Sequence, residues 1–209
     1  MNRPEVVVVP GSEINPKIPG TMFERTSNRR YSGWDNTFDA QFYDRSAFYV
    51  CASQPDSVEG IVRIVRPPLP LEQAIGFEAL NLDISFAVEI SGVGFTSRLG
   101  LMAVLSKLYD DLDRSGYKKV LALTDATNRF FYREIGMRGG HLVSDKTVQY
   151  KDFKYRNERE NVQWSVIEFK DLQKVAHGYW EEIQHLNAYQ NWQNPTDYSW
   201  LMQNSTLNI

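Results

Sequence analysis

Leu101, Leu105, Leu108 and Leu112 recur at steps of four, three and four, with Lys107, Asp110, Asp111 and Arg114 between and beyond them. That spacing lays one apolar stripe along a helix, so it predicts an amphipathic helix over 101–112 with one buried face. Ser115-Gly116 closes it, since glycine readily takes the left-handed conformation at which helices end. On both sides the period falls to two. Phe86–Ser91 before the helix and Val120–Thr124 after it read as strands. Strand, helix and strand in quick succession build a sheet with a helix laid over it.

The rest of the chain fits that frame. Val6–Val9 reads as a short strand, followed by a Pro/Gly-rich loop from Pro10 to Gly20. Ala47–Ala52 and Glu59–Arg66 are β-rich runs joined by Ser53-Gln54-Pro55-Asp56, a hairpin signal. Pro67, Pro68 and Pro70 end the second run. Asn128–Ile135 reads as a short helix stopped by Gly136, and Val148–Tyr150 and Trp164–Phe169 as two further strands around a charged loop at Tyr155–Glu160. A last helix from about Leu172 to Tyr189 carries Val175, Tyr179, Ile183 and Leu186 on one face. The expected class is α/β (α+β) with a mixed sheet. One domain spans 1–209, its core at about 21–170 and a C-terminal helix and tail at 171–209.

Composition narrows the functional classes. A 209-residue chain with 42% hydrophobic residues is long and apolar enough to bury a full core. Its net charge of -3 gives no global field for nucleic acid or an anionic membrane. The short Val6–Val9 run, halted by Pro10-Gly11, is no secretory segment, and no stretch approaches a membrane span. The expected location is the cytoplasm. Cys51 is the single cysteine, and His141, His177 and His185 lack metal-ligand spacing, so no metal site is expected.

Chemistry concentrates between residues 86 and 100. In Phe86–Ser91 the alternation sends Phe86, Val88 and Ile90 one way and Ala87, Glu89 and Ser91 the other. The second set is small residues around one carboxylate, which leaves room for a ligand beside Glu89; it also suits a strand with one wet face. Gly92-Val93-Gly94 reads as a permissive turn between strand and helix, where free N–H groups and a helix N-terminus favour phosphate. Arg98 in the first helical turn opposes the helix dipole, so it calls for an anion or an acidic partner such as Asp83. Arg63 shares its strand face with Ile61 and Val65, and a buried guanidinium needs a carboxylate; Asp44, Glu59 and Glu89 are available.

The stretch Thr124-Asp125-Ala126-Thr127-Asn128-Arg129-Phe130-Phe131-Tyr132-Arg133-Glu134-Ile135-Gly136-Met137 resembles the GNAT acyltransferase signature: a strand end, then Asn, an aromatic-Tyr pair and a Gly four residues on. Ser97-Arg98-Leu99-Gly100-Leu101-Met102 falls where GNAT proteins carry Gln/Arg-x-x-Gly-x-Gly/Ala, and only Gly100 matches. The resemblance implies a GNAT fold, a mixed central sheet splayed around an acyl-pantetheine cleft and flanked by helices. It also implies that the strand before the Tyr132 helix diverges from the Glu89 strand, and that Tyr132 protonates the departing thiolate. The eroded glycine loop suits a donor other than acetyl-coenzyme A.

Trp34, the run Phe42–Tyr49, Gly60–Val65 and Glu89-Ile90-Ser91 resemble the acyl-homoserine-lactone synthases and the related long-chain N-acyl amino acid synthases (the N-acyl tyrosine synthase group) over roughly residues 23 to 150. The lactone synthases carry Asp at the position of Gln41 and Arg at that of Gly92; Leu69-Pro70-Leu71-Glu72 and the Tyr132 helix favour the amino acid branch. The resemblance therefore implies transfer of a fatty acyl chain from acyl carrier protein or acyl-CoA to a small amine such as tyrosine. No cofactor is tightly bound; the acyl-phosphopantetheine is a co-substrate. Glu89 and Tyr132 are the expected catalytic groups. Ser91, Gly92, Val93, Arg98, Gly100 and Asn128 are expected at the acyl-pantetheine, and Trp34, Asp44, Arg63 and Phe86 at the substrate pocket. Phe86, Val88, Leu101 and the aromatic C-terminal helix would line an apolar tunnel, and Arg25, Arg29 and Arg30, or Lys118 and Lys119, would dock an acidic carrier protein. Three alternatives stand beside this reading: a lactone synthase, an acetyl-CoA-dependent acetyltransferase, and a non-catalytic GNAT-like module that binds an acyl carrier.

Overall fold

A computed structural model describes residues 3–26, 43–69, 85–124, 140–151, 159–169 and 171–202. Seven strands form one sheet: β1 (Val6–Pro10), β2 (Ser46–Gln54), β3 (Ser57–Val65), β4 (Ala87–Phe95), β5 (Lys119–Thr124), β6 (Gly140–Lys151) and β7 (Arg159–Phe169). Their spatial order is β1-β2-β3-β4-β5-β7-β6. Every neighbouring pair is antiparallel except β4 and β5. The parallel pair is the one joined by a helix, as a crossover requires.

That helix, α2 (Arg98–Arg114), is the one the leucine spacing predicts, extended by about a turn at its start. Ser97 caps it by accepting from the Gly100 N–H at 3.0 Å. Leu99, Leu105, Leu108 and Leu112 are each 2% exposed or less; each such side chain contributes roughly 1.5–3 kcal/mol of burial. Ala47, Tyr49 and Cys51 of β2, Val62 and Ile64 of β3, and Val88 and Ile90 of β4 meet α2 on one face of the sheet. Helix α3 (Leu172–Gln184) completes that core with Val175, Ala176, Tyr179 and Ile183. Small residues let the two helices close up: the Ser106 hydroxyl donates to the Ala176 carbonyl at 2.9 Å.

The other face carries a second core from Phe48, Val50, Ala52 and Ile61 of the sheet, Met22 and Phe23 of α1 (Lys17–Thr26), and Trp200 and Leu201 near the C-terminal end. Helix α1 takes in the end of the segment that reads as a loop from Pro10 to Gly20 and runs on past it. Pro19 lies in its first turn, where a missing N–H costs no hydrogen bond. The tail as far as Met202 is likewise part of the structure. The predicted last helix breaks at His185 and resumes as α4 (Asn187–Gln190). Asn194 then accepts from the Glu5 N–H at 2.8 Å and donates to the Arg3 carbonyl at 2.8 Å, tying the tail to the first strand. No helix among the described residues is long and apolar enough to cross a membrane.

Candidate active site

β4 and β5 run side by side for only three residue pairs, Ala87↔Lys119, Val88↔Val120 and Glu89↔Leu121. β4 then continues to Phe95 against β3, and β5 continues to Thr124 against β7. The sheet is therefore split beyond Glu89 and Leu121, on the side toward which both strands run. Among the described residues, the part of β4 beyond Glu89 has no ladder partner on its β5 side. Glu89 occupies the last rung before the split and is 5% exposed.

A second irregularity sits two residues further on. Arg63 pairs with Gly92 and Ile64 with Ile90, so Ser91 is an extra residue in β4, a bulge. Ser91 thus belongs to neither ladder. Bulges turn successive side chains to one side, and the Ser91 hydroxyl accepts from Arg63 Nε at 2.6 Å. Arg63 is 2% exposed. Of the three carboxylates considered for it, Glu59 lies toward the opposite end of β3 and accepts from the Ser53 hydroxyl at 2.8 Å, and Asp44 is exposed in the single turn before β2. Glu89 lies on the same side of the sheet as Arg63, one strand away.

Several expectations change. Gly92-Val93-Gly94 is not a turn but part of the second half of β4, which runs on to Phe95. Its glycines answer to α1: a Cβ on Gly92 would stand 2.6 Å from Cζ of Phe23, and one on Gly94 2.9 Å from the Met22 carbonyl oxygen. Val93 points away from them and packs on the α2 core. Gly100 likewise serves packing, since its Cβ would lie 2.4 Å from the Glu59 carbonyl carbon. Gly60 makes the reciprocal approach to Gly100, a role not singled out from sequence.

Phe86 precedes β4 with φ +57° and is 69% exposed, so it lines no tunnel. Its left-handed backbone breaks the two-residue alternation on which its orientation rested. Val88 is buried under α2 and Leu101 packs against the same core, so neither borders a void between the strands. Arg98 is 66% exposed and forms an ion pair with Glu182 of α3; Asp83 lies outside the described residues. Lys118 and Lys119 lie at the start of β5, the closed end of the split. Asp44 and Phe86 are at that same end, and Asp44 lies two strand widths, roughly 10 Å, from the Glu89 strand. A groove of about 320 Å³ between the first residues, α2 and α3, lined by Arg3, Lys107, Asp110 and Trp180 among others, contains none of the predicted site residues. Trp34, Asn128 and Tyr132 lie outside the described residues, as do Arg29 and Arg30 and the side chain of Arg25. No group of acidic, His or Cys side chains able to hold a metal is found among the described residues.

No family profile matches the sequence, and no curated protein does. Solved structures do. The CoA-dependent acyl-homoserine lactone synthase BjaI aligns with a TM-score of 0.55 at 11% identity, over 86% of this chain and 89% of that one. A second structure of BjaI, with SAM and isopentyl-CoA, aligns at 0.53 and 10% identity, over 87% and 90%. The ribosomal-protein-S18-alanine N-acetyltransferase of Escherichia coli aligns at 0.50 and 11%, over 80% and 96%. The fold is the GNAT fold. Within it, the divergence of β4 and β5 is the splay that the resemblance implied. At these identities the GNAT likeness fixes architecture and says nothing of substrate. Phe23, and Gly60 in its packing role, act through residues far away in the chain, which local sequence patterns do not record.

Proposed function

We propose that the chain is an acyltransferase that moves an acyl group from a phosphopantetheine thioester to the amine of a small molecule. The observation that carries this reading is the split beyond Glu89↔Leu121 with the Ser91 bulge two residues inside it. A buried carboxylate stands beside backbone free of both ladders, which is what an aminolysis of a thioester asks for.

In this reading the thioester lies in the split. N–H groups near Ser91 to Val93 hold its carbonyl and take up the oxyanion charge as it develops. Glu89, directly or through one water, accepts the proton of the attacking amine. The C–N bond forms, the C–S bond breaks, and Tyr132 gives a proton to the leaving thiolate. Asn128 stays with the donor, Arg98 meets its phosphates, and Trp34 borders the acceptor. BjaI is CoA-dependent, which makes acyl-CoA the donor to try first; acyl carrier protein, docked by Arg25, Arg29 and Arg30, is the second.

The finer reading is a fatty N-acyl amino acid product, with tyrosine as the acceptor to test. The lactone synthase alternative draws on the likeness to BjaI. Against it, the position at which lactone synthases carry arginine is Gly92, where even a Cβ would collide with Phe23. Purified protein is offered acyl-CoA thioesters from acetyl to palmitoyl with tyrosine, and thiol release is followed. Glu89→Gln and Tyr132→Phe should each lower the rate by about 10²–10⁴-fold. Equal rates in both variants would leave a non-catalytic binding module. Mass spectrometry of lipid extracts from an expressing bacterium then separates acyl amino acids from acyl lactones.

A further inference from the structure

Arg63 is an expensive residue to keep where it is. It is 2% exposed, on a strand face shared with Ile61 and Val65, in the middle of the sheet. A buried guanidinium is retained only where its donors are used. Its Nε–H goes to the Ser91 hydroxyl at 2.6 Å. The register of β3 against β4 shifts between Arg63 and Ile64, directly across from Ser91. The side chain that holds the bulged residue therefore belongs to the residue at which the bulge occurs.

A bulge is otherwise easily lost. Moving one residue of β4 back into register would pair Ser91 with β3 and flip every following side chain to the other face. Gly92 and Gly94, which must face α1, and Val93, which must face α2, resist that slip from one side. Arg63 resists it at the bulge itself. Its Nε–H is planar with the guanidinium and so sets the direction of the Ser91 side chain as well as its distance.

We propose that Arg63 is a positioning residue: by its Nε–H···Oγ bond to Ser91 it fixes the bulge so that the main chain at Ser91 and Gly92 faces the split between β4 and β5. This rests on the acyl-transfer reading above, and it replaces the role of Arg63 as a wall of the amine pocket. Arg63 acts on the rate through Ser91 and does not touch the acceptor.

The test is a double-mutant cycle on the full chain with octanoyl-CoA and tyrosine as probes, read as thiol release. Arg63→Lys keeps the charge but loses the planar donor. Ser91→Ala breaks the same bond from its other end and leaves the buried cation in place, so it serves even where Arg63→Lys does not fold. Each is expected to lower kcat by about tenfold to a hundredfold, a part of what losing an oxyanion donor costs, with KM for donor and acceptor within about threefold. The double variant should be no worse than the poorer single, because both remove one bond. Ser91→Thr, which keeps an acceptor oxygen, should recover at least fivefold over Ser91→Ala. Multiplying losses in the double variant, a Ser91→Thr as poor as Ser91→Ala, or an Arg63→Lys that raises acceptor KM at unchanged kcat would overturn the inference and leave acyl transfer standing. A wild-type chain that releases no thiol from any acyl-CoA or acyl carrier protein thioester removes the acyl-transfer reading, and this inference with it.

Discussion

The far edge of the Phe23 ring stands where a side chain on Gly92 would be: a Cβ there would meet Cζ at 2.6 Å and Cε2 at 2.8 Å. Helix α1 and the strand that borders the split are thus held together at the residue next to the Ser91 bulge, and the stability of one contact sets the shape of the other.

Gly92→Ala should therefore cost about 1–3 kcal/mol, the usual penalty of forcing an extra carbon into a filled site. Phe23→Ala should cost about 3–5 kcal/mol by leaving a cavity. Combined, they should cost at least about 1 kcal/mol less than their sum, because the small ring position makes room for the methyl. Urea unfolding of the four proteins measures this, and a simple sum would mean that the two residues do not share the space.

Gly100 meets main chain rather than a ring. Its Cβ would lie 2.4 Å from the Glu59 carbonyl carbon, and nothing there can swing aside. Gly100→Ala should cost about 3 kcal/mol or more, lowering Tm by roughly 6–12 °C for a chain of this length. Gly116→Ala is the control. It faces open space at φ +75°, so only the backbone penalty of about 1–2 kcal/mol should appear. Equal losses at the two positions would mean that the helix moves off β3 freely.

Alkaline pH should unfold the chain through its core. Burial pushes the Cys51 thiol far above its ordinary value, with the Glu59 carboxylate adding to it. Burial likewise raises the Tyr49 phenol, with the charge of Asp111 and a hydrogen bond to it as further causes. Both groups are neutral in the folded chain and ionise first in the unfolded one. Their contribution is whole below the unfolded values, about 8.5 for a thiol and 10 for a phenol, and falls as pH rises past them. Stability should drop by up to about 1.4 kcal/mol per pH unit for each group. Cys51→Ala and Tyr49→Phe should each flatten that slope in denaturation curves taken from pH 7 to 11. The thiol should also resist labelling until the chain is unfolded.

The Arg98–Glu182 pair is at the surface, with 66% of the Arg98 side chain exposed, so breaking it should cost no more than about 1 kcal/mol, less in high salt. Its use is expected in binding. Arg98→Ala should raise KM for an acyl-CoA several-fold at unchanged kcat, and Glu182→Gln, which frees the cation, should lower it. Unchanged KM in both would remove Arg98 from the donor site.

Local repetition determined what lies along each segment. The leucine steps specify α2, the alternation around Glu89 puts its carboxylate opposite Val88 and Ile90, and the runs either side of Pro55-Asp56 make the β2–β3 hairpin. Each of these depends on neighbours a few residues away, which a period records. The site needed more. That β4 parts from β5 at Glu89, that Ser91 is an extra residue held by Arg63, and that Gly92 and Gly100 are packing glycines all depend on strands and helices distant in sequence. A glycine reads the same whether it frees a turn for phosphate or admits a ring. Only the backbone or side chain brought against it by the tertiary fold decides which.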